Sequence, residues 1–132
     1  MHSKPVFLES NDGRTLQVLA DQIRVLISGG DTGNRYELFV LTGPEGSGPP
    51  PHSHPWDEAY FILEGEVDVC VGDRGVRAKP GAFVLAPANT THMFKIASTI
   101  CKFVVLTTGT GASGFFEAMD REIGFPPPSF EE

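Results

Sequence analysis

Short runs of alternating apolar and polar residues, each ended by turn-forming residues, constrain this chain more than any other feature. In Glu66–Val71 the valines at 67, 69 and 71 alternate with Asp68 and Cys70. That period of two marks a strand with one buried face. Gly72–Gly75 and Lys79–Gly81 supply turn chemistry after it. Fifteen glycines and ten phenylalanines are spread through runs of this kind, which points to an all-β sandwich or barrel. Strands are predicted near Gln17–Leu19, Ile23–Ser28, Tyr36–Leu41, Pro51–His54, Glu58–Leu63, Val67–Val71, Val76–Ala78, Phe83–Ala86, Thr91–Ile96 and Ile100–Thr107. The one predicted helix runs from about residue 114 to 123, where Phe115, Phe116, Met119 and Ile123 fall near one stripe. It is expected to cap the outside of the barrel; the alternative is a lid over a pocket mouth. Residues 124–132 read as an irregular tail. No internal repeat is visible, so residues 1–132 are expected to form one domain with its barrel core at about 15–110.

A chain of 132 residues can bury a core without disulfides or other staples. Seventeen acidic residues against ten basic ones give a net charge of −7. Such a surface repels phosphate backbones, which excludes nucleic acid and anionic membranes as expected partners. Residues 1–5 lack a basic, apolar leader, and no apolar run approaches the roughly 18 residues of a membrane span. A cytoplasmic location is therefore expected. Cys70 and Cys101 fall on separate predicted strands without metal or redox spacing, and are expected as reduced thiols. His2 belongs to the terminus.

Chemistry concentrates in two segments. The first runs from Gly46 through His52, His54 and Glu58 to Gly65, and the second from Gly81 through Pro87 and Asn89 to His92. Side chains two apart on a strand share a face, roughly 7 Å apart along it. His52 and His54 can therefore converge on one ion, and Glu58, of the same parity, can join them if the strand stays regular. Imidazole nitrogens with one carboxylate suit a divalent transition metal. Any of these residues alone is an ordinary solvated side chain; the conjunction points to a metal site inside a β-barrel. The proline-rich stretch from Gly46 to Pro51 could be a linker or a polyproline ligand. Because it leads straight into His52, it is better read as a stiff approach to the barrel mouth.

The first segment resembles the cupin pattern without exception: Gly, five residues, His-x-His, three residues, Glu, six residues, Gly. The second resembles the partner pattern with two departures. Asn89 stands where Gly is usual, and Asn tolerates the left-handed backbone such a turn needs. Ile96 stands where Asn is usual, which removes a polar group from the barrel mouth. Beyond the motifs, Ser28–Tyr36, Gly48–His52 and the phenylalanine-rich Gly114–Asp120 look like small single-domain cupins grouped with bacterial quercetin dioxygenases. The resemblance covers roughly residues 15 to 125. It implies a cupin jelly-roll β-barrel with a short C-terminal helix and one metal ion held by His52, His54, Glu58 and His92. It also implies that Glu58 accepts the proton of a substrate hydroxyl, as ligand and base together. A homodimer is expected, partly from the resemblance and partly because a short jelly roll leaves sheet edges open to pairing.

If Glu58 points inward, strand parity places Tyr60 and Ile62 on the same face, and Phe94 shares parity with His92. The inference is a small apolar pocket lined by Tyr60, Ile62 and Phe94, although core packing also explains each of them. Four protein ligands leave one or two coordination positions open. Iron, nickel, manganese, cobalt, zinc and copper all fit the donor set. A redox-active metal would suit dioxygenation of a small aromatic or enolic substrate bound through oxygen. Two rival expectations are an isomerase, epimerase or polyketide cyclase using the metal as Lewis acid, and a non-catalytic ligand-binding protein.

Overall fold

The computed structural model describes residues 4–122. Its strands are β1 (Thr15–Val18), β2 (Asp21–Ile27), β3 (Tyr36–Pro44), β4 (Glu58–Glu64) and β5 (Val67–Val71). They continue as β6 (Arg74–Ala78), β7 (Phe83–Ala86), β8 (His92–Ile96) and β9 (Ile100–Thr108), followed by helix α1 (Gly111–Glu122). One antiparallel sheet has the order β1-β2-β3-β9-β4-β7 and a second the order β6-β5-β8. The two sheets face each other as a jelly roll. Ile123, the tail at 124–132 and His2 lie outside the described residues.

Period-two patterning builds both inner faces. On β9, Cys101, Phe103, Val105 and Thr107 are buried while the residues between them are more exposed. On β5, Val67 and Val69 point inward. Tyr60, Phe94 and Phe103 meet edge to face, with ring centroids 5.2–5.9 Å apart. Rings so arranged are held by their quadrupoles as well as by burial, which stabilises each by about 1.5–3 kcal/mol. Ile62, Val67 and Ile96 belong to the same core cluster.

The predicted strand at Pro51–His54 is not a strand. His52 makes a single bridge to His92, with the His52 N–H donating to the His92 carbonyl at 3.0 Å and the reverse bond at 2.8 Å. Prolines at 49, 50, 51 and 55 have no N–H to extend that ladder. The remaining strands lie within a few residues of their predicted positions.

Helix α1 begins at Gly111, three residues earlier than predicted, and the expectation that it caps the outside of the barrel is corrected. Ala112, Phe115, Phe116 and Met119 line the internal cavity. The helix is tied down by polar contacts at both ends. The fully buried Glu37 carboxylate accepts from the Ser113 N–H at 3.0 Å and from the Gly29 N–H at 2.7 Å. An anion at a helix N-terminus is favoured by the orphan amides and the helix dipole. Asp120 accepts from the Gln17 N–H at 2.6 Å, and Arg14 pairs with Glu117 at 2.5 Å. Phe116 then packs edge-on against Phe39, with centroids 5.1 Å apart. Cys70 is exposed, Cys101 is buried, and both are free thiols. Among the described residues no helix is long and apolar enough to cross a membrane.

Candidate metal centre

His52 and His54 lie on the irregular segment before β4, His92 opens β8, and Glu58 opens β4. What brings them together is backbone pairing across the segment rather than a regular strand. Besides the His52–His92 bridge, the Asn89 N–H donates to the His54 carbonyl at 2.8 Å. Asn89 has φ +66°, the left-handed turn its position required. Further back, the Ile96 N–H donates to the Ser47 carbonyl and the Gly46 N–H to the Ile96 carbonyl, both at 2.8 Å. The backbone of Ile96 thus secures the loop, while its side chain belongs to the core. Gly48, at φ +145°, passes so close to the Phe94 carbonyl that any Cβ would overlap it. A side chain there would push the histidine segment off β8.

The three imidazoles each offer a nitrogen within 4.8 Å of the others. Their Nδ1 atoms face backbone carbonyls: Pro50 at 2.9 Å for His52, Trp56 at 3.0 Å for His54 and Thr90 at 2.8 Å for His92. A carbonyl only accepts, so each Nδ1 carries the proton and each Nε2 keeps its lone pair. This is how metal-binding histidines are oriented by their outer hydrogen bonds. His92 Nε2 is buried and has no partner among the described residues.

His54 Nε2 also lies 3.2 Å from Glu58 Oε1. In that tautomer two lone pairs face one another, and a proton or a metal cation between them relieves the repulsion. The donor set therefore fits a divalent transition metal. The titration behaviour follows the same logic. Burial works against a charged His54, but the hydrogen bond to Glu58, its charge and the Trp56 carbonyl outweigh it and raise the pKa. For His92 burial wins over the Thr90 carbonyl, and the pKa is lowered. Burial would raise Glu58, yet hydrogen bonds from His54 and Tyr60 and the nearby imidazoles hold it below the usual carboxylate range. The Tyr60 hydroxyl donates to Glu58 Oε2. Burial, with the Glu58 charge added, pushes Tyr60 well above the usual phenol range.

His52, His54 and Glu58 border a cavity of about 430 Å³ with mostly apolar walls, while His92, 2% exposed, is not part of its wall. Tyr60 and Phe94 line the cavity. Ile62 does not; it is 1% exposed and belongs to the buried core. Parity put Ile62 on the correct face but could not tell how deep the cavity reaches. Among the wall residues that went unrecognised in the sequence are Trp56 and Asp21. Trp56 stacks on His54 with ring centroids 4.2 Å apart and planes 6° from parallel. The only tryptophan of the chain, lying between His54 and Glu58, was a signal that could have been used. Asp21 also lines the cavity, and nothing local distinguishes it from an ordinary turn aspartate.

This geometry agrees with the comparisons to known proteins. The Cupin domain family matches residues 39–108, and the chain belongs to the cupin family. It is 30% identical over 124 residues to quercetin 2,3-dioxygenase of Bacillus subtilis (strain 168). That match covers 92% of this chain but only 35% of the relative, so the chain spans about a third of its length. Among solved structures, KdgF from Halomonas sp. superposes with a TM-score of 0.75 at 16% identity, covering 84% of this chain and 99% of that one. The polyketide cyclase RemF from Streptomyces resistomycificus gives 0.68 at 22% identity, covering 80% of each chain. At these identities the structures speak for the fold alone.

Proposed function

We propose that this cupin is a metal-dependent dioxygenase acting on a small aromatic or enolic compound, with His52, His54, Glu58 and His92 as the ligands of one metal ion. The observation that carries the reading is the group of three imidazoles with nitrogens within 4.8 Å of one another and the Glu58 carboxylate against His54, beside an apolar cavity that His52, His54 and Glu58 line. The sequence likeness to a quercetin dioxygenase favours oxygen chemistry over the isomerase or cyclase alternative. A transition metal bound there supplies Lewis acidity and, if redox-active, a route for electrons to dioxygen.

The chain's own residues set the rest. The Nδ1 bonds to backbone carbonyls hold the imidazoles in one orientation, so little reorganisation is needed on binding. Tyr60 keeps Glu58 ionised and turned toward His54, leaving Oε1 to accept the proton of a substrate hydroxyl. Phe94, Val105 and Phe116 exclude water and offer flat apolar surface to a ring. Trp56 fixes the plane of His54 from behind.

A homodimer is part of the same proposal. The outer face of the larger sheet exposes Phe61, Leu63, Phe83, Leu85 and Leu106. Phe61 lies opposite Phe83 in the β4–β7 ladder, so the patch is continuous across strands, as association surfaces are. Sedimentation at micromolar concentration checks it, and a monomer there would remove this part.

The reaction is tested by loading the chain with iron, nickel, manganese, cobalt, copper or zinc and following oxygen uptake with flavonols and related enols. Oxygen consumption with a redox-active metal, and none with zinc, is the expected result. Turnover by the zinc form without oxygen would replace the dioxygenase with a Lewis-acid isomerase or cyclase.

A further inference from the structure

The cavity has a second polar pole. Asp21 opens β2 directly after the Leu19–Ala20 turn and is only 3% exposed. Its Oδ1 accepts from the Ser47 hydroxyl at 2.5 Å. No other side-chain hydrogen bond and no salt bridge reaches the carboxyl among the described residues. The fold makes deliberate room for it. Gly43 lies beneath the carboxyl, where a Cβ would overlap Asp21 Oδ1 and come within 2.8 Å of Ser47 Oγ. The turn that presents Asp21 is also strained. Leu19 has φ +57°, a left-handed conformation that is a genuine outlier for a bulky residue, and Leu19 lines the cavity beside Asp21. Strain of this kind persists where the surrounding structure enforces it, commonly at ligand sites.

This pole is remote from the imidazoles. Ser47, which bonds Asp21, pairs with Ile96, and His52 pairs with His92. Four steps along β8 separate the two levels, roughly 13 Å of strand at about 3.3 Å per residue. Between them the cavity wall is apolar.

We propose that Asp21 is a second recognition point of the cavity, accepting a hydrogen bond from a hydroxyl or ammonium group at the end of the substrate remote from the metal-binding oxygen. This rests on the functional reading above and narrows it. The substrate class becomes an elongated molecule with an enolic or phenolic oxygen at one end, an apolar ring system in the middle and a hydrogen-bond donor at the other end. Burial raises the Asp21 pKa to about 6, against the pull of the Ser47 hydroxyl. At neutral pH the carboxyl is thus an anion in an apolar wall, without a cationic partner among the described residues. Such a group costs stability in the free protein and is offset when a donor arrives.

Calorimetry on the zinc-loaded full-length chain tests the proposal with three probes: 3-hydroxyflavone, its 4′-hydroxy derivative and its 4′-aminomethyl derivative. The wild-type chain should bind the aminomethyl probe about tenfold or more tightly than the parent, the range of a hydrogen bond to a charged group. Asp21→Asn should abolish that preference while leaving affinity for 3-hydroxyflavone unchanged. Ser47→Ala, which frees Oδ1 without removing the anion, should keep or increase it. A purely structural Asp21 would instead weaken all three probes alike in both variants. Equal binding of the three probes by the wild type overturns the Asp21 assignment alone. Failure of the wild type to bind even 3-hydroxyflavone overturns the functional reading, and this inference with it.

Discussion

Glu58 and Asp21 are both nearly buried carboxyls on the wall of one cavity, and burial pushes both toward protonation. They end on opposite sides of their ordinary values. Glu58 accepts from Tyr60 and faces His54 and His92, and is held low. Asp21 has one neutral hydroxyl, Ser47, and rises to about 6. The same desolvation cost is outweighed where donors and imidazoles are assembled and left standing where they are not. One end of the cavity is built to keep a negative charge in place. The other keeps a carboxyl whose charge is poorly compensated until something binds.

The largest expected effects break the histidine end. His92→Ala removes a buried Nε2 aimed at the site, and the His54→Ala, His92→Ala double variant leaves one imidazole. Each should lower metal affinity by about a hundredfold or more, exceeding the 10–100-fold typical of losing an outer-sphere partner. Elemental analysis and chelator competition measure it. A double variant with undiminished affinity would remove the assignment of the site.

Next comes Glu58→Gln, which keeps the shape of the side chain and removes its charge. Turnover should fall by about 10²–10⁴-fold, the usual contribution of a positioned proton acceptor, while metal content falls much less. Parallel loss of both would make Glu58 a ligand without a role as base. Tyr60→Phe is milder. It preserves the edge-to-face packing on Phe94 and Phe103 and deletes only the donor to Glu58. We expect roughly a tenfold drop in kcat with unchanged metal content, since a hydrogen bond to a charged group contributes about 1.5–3 kcal/mol.

The last effect belongs to the other end, bears on stability rather than turnover, and has the opposite sign. Because the folded-state pKa of Asp21 lies above its unfolded value, its contribution to stability is greatest below about pH 4. That contribution is lost as pH rises through about 6. Asp21→Asn cannot ionise and escapes the loss. It should be more stable than the wild type by about 1–3 kcal/mol at pH 7 and no more stable near pH 4. Denaturant unfolding at the two pH values measures this. A variant destabilised at pH 7 would mean that the Asp21–Ser47 bond mainly holds the fold together.

Much of this was legible in local pattern. Alternation along Glu66–Val71 placed a strand, and Asn89 sits in the left-handed turn expected of it. The three histidines do gather at one place, with Glu58 set against His54, yet by a different route from the one parity suggested. Four prolines stop Pro51–His54 from being a strand, and the single His52–His92 bridge does the joining. Counting by two gave the right face for Ile62 as well as Tyr60, without saying that only Tyr60 reaches the cavity.

The sequence by itself determined the elements and the donor set, because side-chain alternation, turn chemistry and ligand type are properties of residues close together in the chain. Tertiary structure alone decided that α1 lines the cavity, that Glu37 pins its first turn, and that Trp56 backs His54. It also turned Asp21 from a turn aspartate into a buried carboxyl, by setting it over Gly43 and against Ser47. Burial depends on neighbours distant in sequence, and the cost of a charge depends on burial. The chemical character of a carboxyl is therefore settled only when the chain has closed around it.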